Sequence, residues 1–307
     1  MEDIRDSFFD SFYEKLKKDK KLILISIDQG ALAINKIKKD FPKNYLNVGI
    51  SEQNAMNFAI GLAQEGYKPY IYLISPFIIR CLEQIKIGMG SLNLKICIVG
   101  SGSGYTYASD GPTHYINEDY GIIRNYTKIN FYCTSDPNSA RSAFKNSYKN
   151  KHGSYIRLEK GMLENYTNNN KLGINHIVKG NKVLLISNGY ITRKCSELLK
   201  IINGKNNSAF GLLDINQLLP INKKGIEKVC KEYKKIVFLD ESPLVSSYSK
   251  DLYFHLNHIK KMRNDKFHFV NTKFEVFKKA GNRDYILSKN NLGKKQLIKY
   301  LTKIKES

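Results

Sequence analysis

No apolar run in the 307 residues approaches the roughly 20 needed to cross a bilayer. The opening Met1-Glu2-Asp3 lacks the basic-then-apolar pattern of a secretion signal, so the cytoplasm is the expected address. Cysteine is scarce. Its five residues, Cys81, Cys97, Cys133, Cys195 and Cys230, are odd in number, widely spaced and form no C-x-x-C pair. That pattern argues against a disulfide framework and against a structural zinc site. Cys97 and Cys133 fall in apolar, strand-like runs, where cysteine packs as a small hydrophobe. Arginine is scarcer still in proportion: eight of the 50 basic residues, against a formal net charge of +22. Such a charge invites a nucleic-acid reading. Yet arginine is the residue suited to phosphate forks and base edges, and the lysines are scattered through every segment. Diffuse charge without a recognition motif argues against nucleic-acid binding. A dinucleotide fingerprint is also missing: Gly100-Ser101-Gly102-Ser103-Gly104 is not G-x-G-x-x-G, and no helical pattern follows at once.

What is present is ordinary globular chain, 42% hydrophobic and 25% charged, long enough for two domains. Short apolar runs alternate with helical patterns, the mark of parallel-sheet α/β architecture. Strands are expected at 22–27, 70–74, 94–99, 129–133 and 155–158, with helices at about 6–18, 31–39, 52–64, 76–89 and 138–148. Leu22-Ile23-Leu24-Ile25 is apolar without alternation, as in a strand covered on both faces. A polar stretch from Glu164 to Lys171 reads as a linker. A second series follows, with strands near 182–187, 209–214, 236–239 and 267–270 and a closing helix at 297–304. The expectation is two doubly wound α/β domains, 1–164 and 179–307, joined by a linker at 165–178.

The densest signal runs from Asn47 through Gly49-Ile50-Ser51-Glu52-Gln53-Asn54 to Gly61-Leu62-Ala63. Ser51 is placed to cap a helix. At 100° per residue Ala55, Met56, Ala59, Ile60 and Ala63 form one apolar stripe, and Glu52 lies on it. An acid that merely complements the helix dipole would face solvent. A carboxylate on the buried face needs a partner, because an unpaired buried charge is costly. Position alone leaves structural and functional readings open.

This run resembles the G-I-x-E-Q-N-x-x-x-x-A-x-G-L-A segment of transketolases and 1-deoxyxylulose-5-phosphate synthases. The resemblance implies a pyrimidine-binding domain for thiamine diphosphate followed by a transketolase C-terminal-like domain. It makes Glu52 the catalytic residue that hydrogen-bonds the aminopyrimidine, so that the cofactor's own nitrogen can generate its nucleophilic carbon. Ser75-Pro76-Phe77-Ile78-Ile79-Arg80 is similar to the synthases' S-T-F-x-x-R. Phe77 is thereby implied to pack on the pyrimidine and Arg80 to face the substrate channel. Read without the resemblance, Phe77 is core and Arg80 a surface cation. Asp110-Gly111-Pro112-Thr113-His114 reproduces the D-G-P-T-H of transketolases, which implies substrate contacts for Asp110 and His114, with a catalytic part for His114. Loops at the carboxyl ends of parallel strands are where α/β proteins place their sites. Tyr155-Ile156-Arg157-Leu158-Glu159-Lys160 resembles the segment that holds the family's phosphate-binding arginine, with Lys160 in its place. Lysine can hold a phosphate as a point charge but lacks the arginine fork. One departure stands out, since Gly102-Ser103 replaces the His-Asp of transketolases and the arginine of the synthases.

The G-D-G motif that marks the family's diphosphate and Mg²⁺ site does not occur. No metal ligands are therefore expected in this chain. The resemblance implies a partner, an N-terminal transketolase-like subunit that carries Mg²⁺ and the diphosphate, together forming an α2β2 heterotetramer. The expected function is transfer of a ketol unit between sugars or sugar phosphates in carbohydrate metabolism. A beta subunit of a 2-oxo-acid dehydrogenase has the same plan and an equivalent glutamate, but a different sequence where Asp110–His114 stands. A synthase fragment is the other enzymatic alternative, and a non-enzymatic, nucleic-acid-binding protein is the alternative of another class.

Overall fold

Runs of Leu, Ile and Val buried on both faces build two parallel sheets, each with its own core. A computed structural model describes residues 1–126, 128–165, 173–203, 208–273 and 281–306. The chain divides into two units: Met1–Ser103 with Ile123–Leu172, and Gly104–Ile122 with Gly173–Ser307. Among the described residues no helix is long and apolar enough to cross a membrane.

The strands of the first unit are β1 (Glu2–Asp3), β2 (Leu22–Ser26), β3 (Tyr45–Asn47), β4 (Lys68–Ile74), β5 (Cys97–Ser101), β6 (Asn130–Cys133), β7 (Ser154–Leu158) and β8 (Met162–Leu163). Within the unit, six of them run parallel in the order β6-β7-β5-β4-β2-β3. β1 and β8 form a separate antiparallel pair. All five residues of β2, β5 and β7 are buried, as strands covered by helices on both faces must be. One face of the sheet carries the helices Ile4–Leu16, Leu32–Asp40 and Pro137–Lys149 over a core rich in aromatic rings. Phe9 meets Tyr72 edge-on at 4.8 Å and Phe12 meets Tyr70 at 5.2 Å. Such pairs add about 0.5–1.5 kcal/mol each beyond the area they bury. The helix Pro137–Lys149 opens on a reciprocal cap in which Asp136 accepts from the Ser139 amide at 2.8 Å. The Ser139 hydroxyl in turn accepts from the Asp136 amide at 2.9 Å.

The second unit contains β9 (Ile174–Val178), β10 (Val183–Ser187), β11 (Phe210–Ile215), β12 (Gln217–Leu219), β13 (Lys235–Asp240) and β14 (Phe267–Asn271). Its sheet runs β14-β13-β10-β11-β9, parallel except for β9, which pairs antiparallel with β11. The helices Gly189–Ile202 and Lys294–Glu306 help close its core around Leu185, Leu212 and Val237.

Three features depart from the expected layout. Residues 174–178, placed in the linker, form the edge strand β9; residues 166–172 of that linker lie outside the described residues. The stretch Gly104–Ile122 clusters with the second unit although its sequence neighbours belong to the first. The expected helix at 76–89 is instead a 3-10 segment (Ser75–Cys81), a single α turn (Leu82–Gln84) and a π segment (Ile85–Ser91). Pro76 opens this run, and Gly88 and Gly90 weaken its end, since glycine is a poor helix former. Tight approach also shapes it. A Cβ on Gly88 would come within 2.6 Å of the Ile60 side chain.

Candidate cofactor-activating site

Glu52 is the first residue of the helix Glu52–Gln64, whose bounds match the sequence pattern at both ends. Its neighbours on the stripe, Ala55, Met56 and Ala59, are buried, and Glu52 itself is only 4% exposed. Ser51 takes the N-cap position but does not cap. Its hydroxyl donates backward to the Val48 carbonyl at 2.8 Å. The positive end of the helix still favours a carboxylate in the first turn. The partner that a buried carboxylate requires is Arg80, whose Nη1 donates to Glu52 Oε1 at 3.0 Å. The guanidinium also lies 4.2 Å from the centroid of the Phe77 ring. Glu52, Phe77 and Arg80 thus form one contact cluster, drawn from the start of one helix and the 3-10 turn after β4. Glu52 Oε2 makes no hydrogen bond among the described residues. The Cys81 thiol is buried beside them. Burial, and next the Glu52 charge, push it up to about 12.

The remaining expected residues stand on other elements. Lys160 is exposed immediately after β7, and its amide donates to the Glu159 carboxylate at 3.1 Å. Glu159 is 2% exposed and accepts from the Ser103 hydroxyl at 2.7 Å. The Gly102-Ser103 replacement therefore has a structural use. Gly102 adopts φ +80 and donates to the Leu158 carbonyl at 2.8 Å, while Ser103 satisfies a buried acid. Asp110 and His114 belong to the second unit, in two 3-10 turns hinged at Gly111 with φ +88. Asp110 is exposed and His114 half-buried, with its Nδ1 3.0 Å from the Thr113 hydroxyl. Their loop is closed by paired backbone bonds between Gly104 and Ile116, both 3.0 Å. Gly104 is required there. It has φ +51, and a Cβ would meet the Glu241 carboxylate at 2.5 Å. Glu241 in turn holds Arg283 through two bonds, one of them 2.7 Å from Nε. Neither Glu241 nor Glu159 stands out in the sequence, because an acid in an apolar neighbourhood shows nothing of its partner.

The residues of this first cluster fit an aminopyrimidine. A buried carboxylate with one oxygen held by a cation and the other unbonded can accept from, or share a proton with, a ring nitrogen. The half-buried Phe77 supplies an aromatic face beside it. Among the described residues no group of three or more His, Cys, Asp or Glu is arranged to hold a metal.

The family described as "Transketolase, pyrimidine binding domain" matches residues 2–165. The chain belongs to this family. Curated relatives agree with it. The chain is 23% identical over 246 residues to a subunit of the apulose-4-phosphate transketolase of Phocaeicola vulgatus, covering 77% of this chain and 78% of the relative. It is 25% identical over 263 residues to a 1-deoxy-D-xylulose-5-phosphate synthase of Glaesserella parasuis, of which it spans only 42%. Among solved structures, a split-gene transketolase described as an inactive beta4 tetramer superimposes with TM-score 0.84 at 19% identity, over 98% of this chain and 97% of that one. The transketolase of Campylobacter jejuni superimposes with TM-score 0.76 at 16% identity, over 98% of this chain and 46% of that one. These structural likenesses establish a transketolase fold for this family member, and the family's pyrimidine-binding domain implies dependence on thiamine diphosphate.

Proposed function

We propose that the chain is one subunit of a thiamine diphosphate-dependent, transketolase-like transferase, in which Glu52 activates the cofactor and a ketol unit passes between sugars. The observation that carries this reading is the Glu52 carboxylate: 4% exposed, at a helix start, with one oxygen on Arg80 and the other without a bond among the described residues. When bound, thiamine diphosphate supplies the nucleophilic carbon. Glu52 holds a proton at the pyrimidine ring nitrogen, and the buried setting strengthens that bond relative to water. Phe77 flanks the pyrimidine, and Arg80 orients the carboxylate. Asp110 and His114 are read as contacts for sugar hydroxyls, with His114 able to move a proton there, and Lys160 as a point-charge contact for a phosphate.

The diphosphate and Mg²⁺ site is assigned to a partner with an N-terminal transketolase-like domain, in an α2β2 assembly in the cytoplasm. The similarity to a relative that is itself named as one subunit of a transketolase supports a split enzyme. The Asp110–His114 sequence favours a transketolase over a dehydrogenase beta subunit. Glu52→Gln tests the core of the proposal, because glutamine keeps size and hydrogen bonding but cannot share an ionisable proton. Turnover of the reconstituted pair should fall on the order of 10²-fold or more, with an unchanged fold by circular dichroism. Near-normal turnover would assign Glu52 a structural role instead.

A further inference from the structure

On the first unit, away from the elements that carry Glu52, the helices Ile4–Leu16 and Pro137–Lys149 border a groove of about 400 Å³. Volumes of this order hold small molecules, roughly 300–1,000 Å³ being usual. Five cations line it: Lys15, Lys18, Arg141, Lys145 and Lys149. Its acidic lining residue, Glu14, is already neutralised by Lys17 at 2.6 Å. Arg141 pairs with Glu2, but none of the four lysines forms an ion pair among the described residues. The floor is aromatic, from Phe144 and Tyr148. Tyr148 concentrates charge around itself. The ammonium groups of Lys15, Lys68 and Lys95 stand 4.3, 4.6 and 5.5 Å from its ring centroid, with Lys68 paired to Asp19.

Lysines in the last turn of a helix are ordinarily explained by the dipole, and Lys15 and Lys149 occupy such positions. The dipole does not explain Ser142. This residue lines the groove and is 1% exposed, yet its hydroxyl has no hydrogen-bond partner among the described residues. An unsatisfied buried hydroxyl is costly, and an anionic oxygen entering the groove would satisfy it. An unpartnered donor in the lining of the same groove as several unneutralised ammonium groups is the chemistry of an oligophosphate site. We propose that this groove binds the phosphate chain of a di- or triphosphate ligand, as a second site separate from the Glu52 cluster. The aromatic floor accepts an attached base or sugar without requiring one.

A cationic groove of about 550 Å³ in the second unit provides an internal control. It is lined by Lys234, Lys235, Lys261 and Lys266, with Arg263 paired to Asp265, and none of its polar side-chain atoms is buried without a partner among the described residues. The test is calorimetric titration of the purified chain with inorganic triphosphate, with ATP and with a short oligoribonucleotide, in Mg²⁺-free buffer at ~0.05 and ~0.15 M KCl. Saturable one-to-one binding of triphosphate is expected. Lys145→Glu with Lys149→Glu should weaken it about tenfold or more, while Lys234→Glu with Lys261→Glu should leave it near wild type. Ser142→Ala should also weaken binding severalfold without loss of thermal stability, since it removes an unsatisfied donor. Equal affinity for triphosphate and ATP would place recognition in the phosphate chain alone, and tighter ATP would add the aromatic floor; both support the site. Equal weakening by the two charge reversals would overturn it, as would binding of the oligoribonucleotide without binding of triphosphate.

Discussion

At the scale of single residues, the Glu52 cluster is a case of burial made tolerable by one cation. Removing Arg80 would strand a carboxylate that is almost wholly out of water, whereas the pair together is stabilised by direct contact and by the helix end. The same low-polarity surroundings act on the neighbouring thiol. Burial and the Glu52 charge push Cys81 up to about 12, and burial takes Cys195 and Cys230 to about 12 as well. All five cysteines are buried and none is in a disulfide, and Cys97 and Cys133 pack inside as their apolar runs imply. Native protein at pH ~8 should therefore resist thiol reagents at all five positions, because the thiolate is the reactive species. The measurement is mass spectrometry after brief iodoacetamide exposure, with full labelling expected only in denaturant. Rapid native labelling of Cys81 would show that the surroundings of Glu52 open to solvent.

Among elements, one polar knot ties three pieces of the first unit together. Asp19, after the helix Ile4–Leu16, accepts from Lys68 at the start of β4 at 2.5 Å and from the Tyr148 hydroxyl at 2.8 Å. Burial by itself would raise the Asp19 carboxyl, but these hydrogen bonds outweigh it and hold the group at about 2 instead of the ordinary 3.8. A depressed folded-state value means the stabilisation is fully present above the unfolded value and is lost as pH falls toward about 2. Asp19→Asn should thus lower stability at pH ~7 and flatten the acid limb between pH ~4 and ~2. Chemical denaturation at several pH values checks it. A variant with an unchanged acid limb would remove Asp19 from the acid response. The elements themselves are legible in the sequence where burial is two-sided or amphipathic. β2, β4 and the helix Glu52–Gln64 follow directly from apolar runs or a clean stripe. β3 escapes such a reading because Tyr45–Asn47 is three residues long and none of them is buried. β9 escapes it for a related reason: all of Ile174–Val178 is half-buried at a sheet edge, so polar and apolar residues mix. The helix start at Glu52 is legible, but not the backward turn of the Ser51 hydroxyl, which depends on where the Val48 carbonyl points.

For the whole molecule, the path of Gly104–Ile122 cannot be read locally, since it is fixed by partners far along the chain. Tyr105 and Ala108 enter the second core, Tyr120 donates to Asp251 at 2.8 Å, and the Ser246 hydroxyl donates to the Asn117 carbonyl at 3.2 Å. Asp110 and His114, proposed as sugar contacts, thus belong with the second unit, while Lys160 and the Glu52 proposed to activate the cofactor belong with the first. A further consequence concerns the isolated chain. With the diphosphate site assigned to a partner, calorimetry should show only weak thiamine diphosphate binding in the presence of Mg²⁺, and tight binding once the partner is added. Tight stoichiometric binding by the chain alone would end the split-enzyme proposal.

The Gly102-Ser103 departure from the resembled motifs has a structural reason. Ser103 is committed to the buried Glu159 and Gly102 to the Leu158 carbonyl, so neither position offers the charged or imidazole group found at this place in the resembling families. Lys160, exposed at the end of β7, is then the remaining expected anion contact. In the reconstituted enzyme, Asp110→Ala should reduce kcat/KM toward hydroxylated acceptors by about 1–3 kcal/mol, the scale of one lost hydrogen bond to a polar substrate group. Cofactor affinity should stay near wild type, because Asp110 is read as a sugar contact. Lys160→Ala should narrow the difference between phosphorylated and free sugars, a point charge being all that distinguishes them there. Steady-state kinetics with matched sugar and sugar-phosphate pairs measures both effects. A strict phosphate requirement that survives Lys160→Ala would mean that the phosphate is held by other residues, and an Asp110→Ala variant that loses cofactor affinity would move that residue out of the substrate channel.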